Sequence, residues 1–171
     1  MEEYLLVDGY NMIGAWPKLI KLADVGLEEA RDELISTMAD YQGYSGKKVI
    51  LVFDAHQVPG RGRKLRLHGL DVRFTKEKET ADECIERLVG ELNRRTRRIY
   101  VATSDMTEQH VIFGRGALRI SARELLIALR ESDHEMHKKL KNEQKKVRNT
   151  FSSKIPLELR GEFEKWRRNR H

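Results

Sequence analysis

The sequence is poor in several things, and each shortage excludes a class of protein. It has a single cysteine, Cys84, so no intrachain disulfide and no cysteine-based zinc centre can form. Cys84 is expected to be a small buried apolar residue on a helix. No apolar stretch reaches the roughly 18 to 20 residues that span a bilayer. The start, MEEYLLVDGYN, is acidic and runs straight into strand-like sequence, unlike a secretory signal. There is no internal repeat, and the one GxG, in the run PGRGRKLR, belongs to neither a dinucleotide-binding fingerprint nor a P-loop. Together these point to a soluble cytoplasmic protein with no membrane partner. At 171 residues the chain is of a size for one domain with a real hydrophobic core.

What is abundant is charge, and it is unevenly placed. The net charge is +6, yet from Arg130 to His171 there are 13 Lys/Arg against 7 Asp/Glu, while residues 1–129 carry 20 of each sign. The whole excess therefore sits in a C-terminal stretch, an asymmetry that favours a polyanionic partner, nucleic acid first.

Short apolar runs alternate with amphipathic stretches, the pattern of an α/β domain with a mainly parallel sheet. Tyr4-Leu5-Leu6-Val7 reads as a buried strand followed by a turn at Asp8-Gly9. Leu27, Ala30, Leu34, Met38 and Tyr41 recur at helical spacing, with Gly43 and Gly46 expected to end that helix. Val49–Phe53 is a second strand; a loop rich in Gly and Arg follows, then a short strand near Val72–Phe74. Thr80…Glu83 and Ser121…Glu124 have the spacing of capping boxes. The first opens a helix that buries Ile85, Leu88, Val89 and Leu92, the second a long helix through Leu125, Leu126 and Leu129. Ile99–Ala102 and Leu118–Ile120 read as strands, with a shorter helix expected from Asp105 or Thr107. The expected division is a domain over 1–135 and a basic helical extension over 136–171, with Phe163 and Trp166, which share a helix face, packing it back on the domain.

In an open parallel sheet, ligands bind outside the carboxyl ends of the strands. Asp8 ends the first strand, Asp54 the second, Asp105 follows the strand that leads to Thr103-Ser104, and Asp82 opens a helix facing the same edge. Two like charges about 4 Å apart repel by roughly 4 kcal/mol at an effective dielectric of about 20. Such a group persists where something neutralises it, and hard divalent cations do so through oxygen ligands. Two ions about 3.5 to 4 Å apart would activate a water and stabilise the leaving oxygen of a phosphodiester. Asp82 or Asp105 taken alone reads better as a helix cap. Asp8 is harder to explain that way, because a buried strand ending in Asp-Gly does not obviously need the charge.

Other residues are weaker candidates. His134 and His137 are three apart on a helix with no third ligand, and His56 suits a turn as well as a phosphate contact. Arg61, Arg63, Lys64 and Arg66 form a basic arm read as lying beside the acidic rim, suited to RNA backbone or rRNA. Arg94, Arg95, Arg97 and Arg98 precede a strand and belong on the opposite edge, as favourable charge at a helix C-terminus.

The runs LLVDGYNMIGAW, LVFDAH, ETADECIERL and YVATSDMTEQ, in this order and spacing, resemble the NYN branch of the PIN-like nucleases, and most closely its bacterial YacP-type group. The resemblance covers residues 1–130, and FEKWRR in the tail is similar too. It implies a PIN-like three-layer α/β fold, a mainly parallel sheet flanked by helices, with an acidic pocket for Mg²⁺ or Mn²⁺. It also implies endonucleolytic cleavage of mRNA in the A site of translating ribosomes, so mRNA and the ribosome with its rRNA are the implied partners. By this resemblance Asp8 is the central metal ligand, Asp82 and Asp105 are the further catalytic acids, and Asp54 completes the pocket. Asn11 would orient the first loop through its amide, and Glu79 would support the site as an outer acid. The DGYN run is also similar to 5′-nuclease domains attached to DNA polymerases. The alternatives are thus a structure-specific DNA nuclease, or an RNA- or ribosome-binding module with an inactive pocket. Oligomeric state is not legible.

Overall fold

The apolar run at the N-terminus becomes the central strand of a six-stranded sheet. In the computed structural model, which describes residues 1–55, 62–104 and 116–154 (backbone alone for 149–154), β1 spans Glu2–Asp8. Its parallel neighbours are β2 (Lys48–Phe53) and β5 (Arg97–Ala102). Beyond β2 lie β4 (Leu70–Phe74) and the edge strand β3 (Arg63–Leu67); beyond β5 lies β6 (Leu118–Ile120). The order is β3-β4-β2-β1-β5-β6, and only the β3–β4 pair is antiparallel.

Among the described residues there are five helices: α1 (Gly9–Ala15), α2 (Pro17–Val25), α3 (Leu27–Ser45), α4 (Ala81–Leu92) and α5 (Ala122–Lys154). Alternation along the strands sorts the core into two layers. Leu5, Val7, Leu51 and Phe53 face α1–α3 and the start of α5, where Leu34, Met38, Leu125 and Leu129 meet them. Tyr4, Leu6, Ile50, Val52 and Val101 face the other way, onto Cys84, Ile85, Leu88 and Val89 of α4. Strands buried on both faces explain why β1, β2 and β5 read as near-continuous apolar runs. The expected α/β fold with a mainly parallel sheet is the observed one.

Several local expectations change. The turn after β1 is the start of α1 itself, and α2 follows at once. Pro17 is the first residue of α2, where its missing N–H costs no hydrogen bond and its fixed φ suits the helix. Gly43 lies inside α3; Gly46 alone ends that helix, in the left-handed conformation (φ 73°). The segment from Arg63 to Arg66, read as part of a loop, is most of β3. It is joined to β4 by a tight turn in which His68 and Gly69 both have positive φ (53° and 80°), as a two-residue hairpin with right-handed twist requires. The expected helix after Asp105 and the apolar cluster around Phe163 and Trp166 lie outside the described residues.

The chain divides into two units, Met1–Ser132 and Asp133–His171. In the second, the helix from Asp133 to Arg148 is exposed along nearly its whole surface. Among the described residues no helix is long and apolar enough to cross a membrane.

Candidate active site

The chain runs β1, β2, β4 in one direction across the sheet, then returns through α4 to place β5 and β6 on the other side of β1. The point of reversal lies between β1 and β5, and it is there that ligands bind in sheets of this kind. Asp8 is the last residue of β1 and only 6% exposed. Val7 pairs with Ala102, so Thr103 stands level with Asp8 across the reversal point.

Asn11 joins the two. Its backbone N–H donates to Asp8 Oδ1 (3.3 Å), and its Nδ2 donates both to Asp8 Oδ2 (3.0 Å) and to Thr103 Oγ1 (2.9 Å), a residue 92 positions away. An amide nitrogen has two protons, and both are used here. Asp8 is thereby the N-cap of α1. This corrects the reading of a turn at Asp8-Gly9 with no obvious need for the charge, for Asp8 caps α1 and lies at the switch point as well. Thr103, fully buried, is a site residue that sequence reasoning missed; the TSD run held it, but only the aspartate drew notice.

Asp54 follows β2. Asp8 pairs with Val52, so Asp54 stands two residues, roughly 6 to 7 Å, further along the strand direction. Thr75 holds it on both sides: its N–H donates to Phe53 O (3.0 Å) and its Oγ1 accepts from Ala55 N (2.8 Å). The Tyr10 hydroxyl accepts from Arg31 Nη1 (3.1 Å). Burial pushes the Tyr10 phenol above its ordinary range, the Arg31 guanidinium pulls it back, and the Asp54 carboxylate adds to the rise. The ring of Tyr10 tilts against Phe53 (centroids 5.2 Å apart), which stacks on Phe74 (5.5 Å). A methyl group at Gly9 would overlap the Phe53 ring, so glycine is required for the backbone after Asp8 to pass this close.

Asp82 lies in the first turn of α4, exposed, behind the N-cap Thr80, whose Oγ1 accepts from Glu83 N (3.2 Å). Glu79 is held by Arg87, whose Nε and Nη2 donate to its two oxygens (3.1 and 3.5 Å). Asp105 and Arg61 lie outside the described residues. Of the rest of the basic arm, Arg63 pairs with Phe74 at the carboxyl edge and its guanidinium lies 6.0 Å from that ring's centre. Lys64 and Arg66 project from the opposite face of the strand, and Arg66, paired with Asp71, is three residues from the rim. The arm is therefore not one patch beside the acids.

Among the described residues no three carboxylate, imidazole or thiol groups lie close enough to hold one metal ion. Asp8 and Asp54 still offer the hard oxygen donors that Mg²⁺ or Mn²⁺ prefers.

A model of the YacP-like NYN domain matches residues 5–168. The chain belongs to the YacP-like NYN family. It is 52% identical over 168 residues to the Bacillus subtilis protein YacP, with 97% of each chain covered. Two crystal structures of Rae1 (YacP) from Bacillus subtilis share its fold, each with a TM-score of 0.73. One is 50% identical and covers 96% of this chain and 94% of its own. The other, a tryptophan-to-leucine mutant, is 48% identical and covers 94% and 89%. NYN membership points to a nuclease.

Proposed function

We propose that this chain is a divalent-metal-dependent endoribonuclease that hydrolyses phosphodiester bonds of mRNA, in the A site of translating ribosomes. The observation that carries the reading is the Asp8–Asn11–Thr103 link: a buried carboxylate held in a set orientation at the switch point of a nuclease-family sheet. Asp8, with Asp54, Asp82 and Asp105, would hold Mg²⁺ or Mn²⁺. Such an ion, when bound, polarises a phosphoryl oxygen and makes a water acidic enough to attack at neutral pH. The protein's own part is positional. Asn11 fixes which way the Asp8 oxygens face, and Thr75 fixes the chain on either side of Asp54. The basic extension over 136–171 supplies affinity for rRNA.

The rival reading, an RNA- or ribosome-binding module without activity, draws on the lack of three ligating groups in one cluster among the described residues. Primer extension on mRNA from translating ribosomes separates the two. The unaltered protein with Mg²⁺ or Mn²⁺ is expected to produce discrete cuts, and Asp8→Asn none, while both bind ribosomes alike. Intact mRNA with the unaltered protein under every metal tested would overturn the nuclease reading.

A further inference from the structure

A groove of about 560 Å³ opens beside the site, on the flank of the sheet away from β3. Its lining includes apolar residues: Trp16 and Pro17 at the α1–α2 junction, and Leu126 and Ile127 of α5. Trp16 is pinned there by its indole N–H, which donates to Ala122 O (2.8 Å) and ties the end of α1 to the start of α5. The rim is basic, carrying Arg119, Arg123 and Arg130. Arg123, Ile127 and Arg130 recur at i, i+4 and i+7, one stripe of a helix, and all three are exposed. Neither Arg123 nor Arg130 has an ion-pair or hydrogen-bond partner among the described residues.

Two stretches of chain link the groove to the candidate site. Ser104, on its wall, is next to Thr103. Ala15 and Trp16 lie at the far end of α1, the helix that Asp8 caps, and seven residues of helix are roughly 10 Å long. We infer that this groove holds the sugar–phosphate backbone of the single RNA strand a few nucleotides from the bond to be cut, Arg123 and Arg130 contacting phosphates and the apolar lining taking ribose and base. The inference rests on the endoribonuclease reading for the word "cut", but not for the binding itself. The guanidiniums of Arg123 and Arg130 above an apolar lining complement a strand that alternates anionic phosphate with flat, weakly polar faces. A carboxylate-rich peptide would satisfy the arginines and leave the apolar lining unused.

The test is the salt dependence of binding of a short fluorescent single-stranded RNA, measured by anisotropy in EDTA so that nothing is cut. Each phosphate contact to a single strand contributes about 0.7 to the slope of log K against log salt. R123A/R130A is expected to lower that slope by about 1.4 and to weaken binding roughly tenfold at low salt. R123K/R130K, which keeps the charge, is expected to restore most of the slope. R94A/R95A, which removes as much charge at the opposite edge, is expected to move it by less than half as much. Equal slopes for R123A/R130A and the unaltered protein overturn the assignment, as does equally tight arginine-dependent binding of polyglutamate. The same proteins assayed for cleavage separate this from the nuclease reading. A lowered slope without any cleavage upholds the groove and removes the enzyme. Cleavage with unchanged slopes does the reverse.

Discussion

The two edges of the sheet treat their acids in opposite ways. At the amino edge Glu2 accepts from Lys48 Nζ and Arg97 Nε, each at 3.0 Å, and Glu3 lies 3.9 Å from Arg98. The same cations lie over aromatic rings: Lys48 is 5.4 Å and Arg97 5.2 Å from the centre of Tyr4. At the carboxyl edge the Asn11 amide and backbone N–H donate to Asp8, and these two bonds set its orientation. The lesson is that the partners differ in kind: cations match Glu2, while an amide and a backbone N–H orient Asp8. Glu2 is matched by cations in open water, where such pairs add little stability. Asp8 is buried, and the bonds it accepts from Asn11 fix its direction.

The contrast can be broken first at Asp8. Asparagine caps helices as well as aspartate does, so Asp8→Asn is expected to keep the melting temperature within a few degrees while cleavage of RNA falls at least a hundredfold. An equal loss of folded protein would instead make Asp8 a structural cap. Next comes Gly9→Ala. Overlap with Phe53 forces the loop after Asp8 to shift, and overpacking of this kind costs about 1 to 3 kcal/mol, visible as a lower urea midpoint together with reduced activity. Asn11→Ala removes the amide's hydrogen bonds to Asp8 Oδ2 and Thr103 Oγ1, each a loss of about 0.5 to 1.5 kcal/mol. Its activity should drop with little change in RNA affinity; unchanged turnover would show that Asp8 needs no orienting partner.

The smallest effect is expected at Glu2. The hydrogen bond from Lys48, then that from Arg97, lowers its carboxyl below the ordinary range. A carboxyl lowered in the folded state stabilises above its unfolded value, and that contribution fades as pH falls through the folded one. Because Glu2 is exposed, Glu2→Gln should barely move the melting temperature at neutral pH and should leave cleavage untouched. A marked loss of activity in Glu2→Gln would erase the distinction between the edges.

The sequence displayed the fold where burial left a pattern. Strands β1, β2 and β5 are apolar on both faces, and the caps Thr80 and Ser121 sit where their side chains accept from Glu83 N and Glu124 N. Strand β3 was hidden because it lies at the edge, and RKLRL carries the positive charge that keeps an exposed strand from pairing with another chain. Helices α1 and α2 were hidden by shortness and by Pro17. For the site, Asp8 ends β1, Asp54 follows β2 and Asp82 lies in the first turn of α4, yet among the described residues no three such groups come together. The Asn11–Thr103 bond was beyond reach, since nothing local in either residue specifies a partner 92 positions away. The stripe of Arg123, Ile127 and Arg130 was visible as spacing, yet became meaningful only once Trp16 lined the same groove.

That long-range bond has a consequence for how the protein comes into being. Parallel strands joined by crossovers pair late, since distant parts of the chain must meet before any pairing rewards them. Here β1 gains its second neighbour only from residue 97 onward. A growing chain that stops short of Thr103 already carries Asp8, Asn11, Asp54 and Asp82, but lacks the strand whose hydroxyl receives the Asn11 amide. Three of the four candidate acids are made early, and Thr103 and Asp105 come late, so a half-synthesised copy holds most of the candidate site's residues without the Asn11–Thr103 bond.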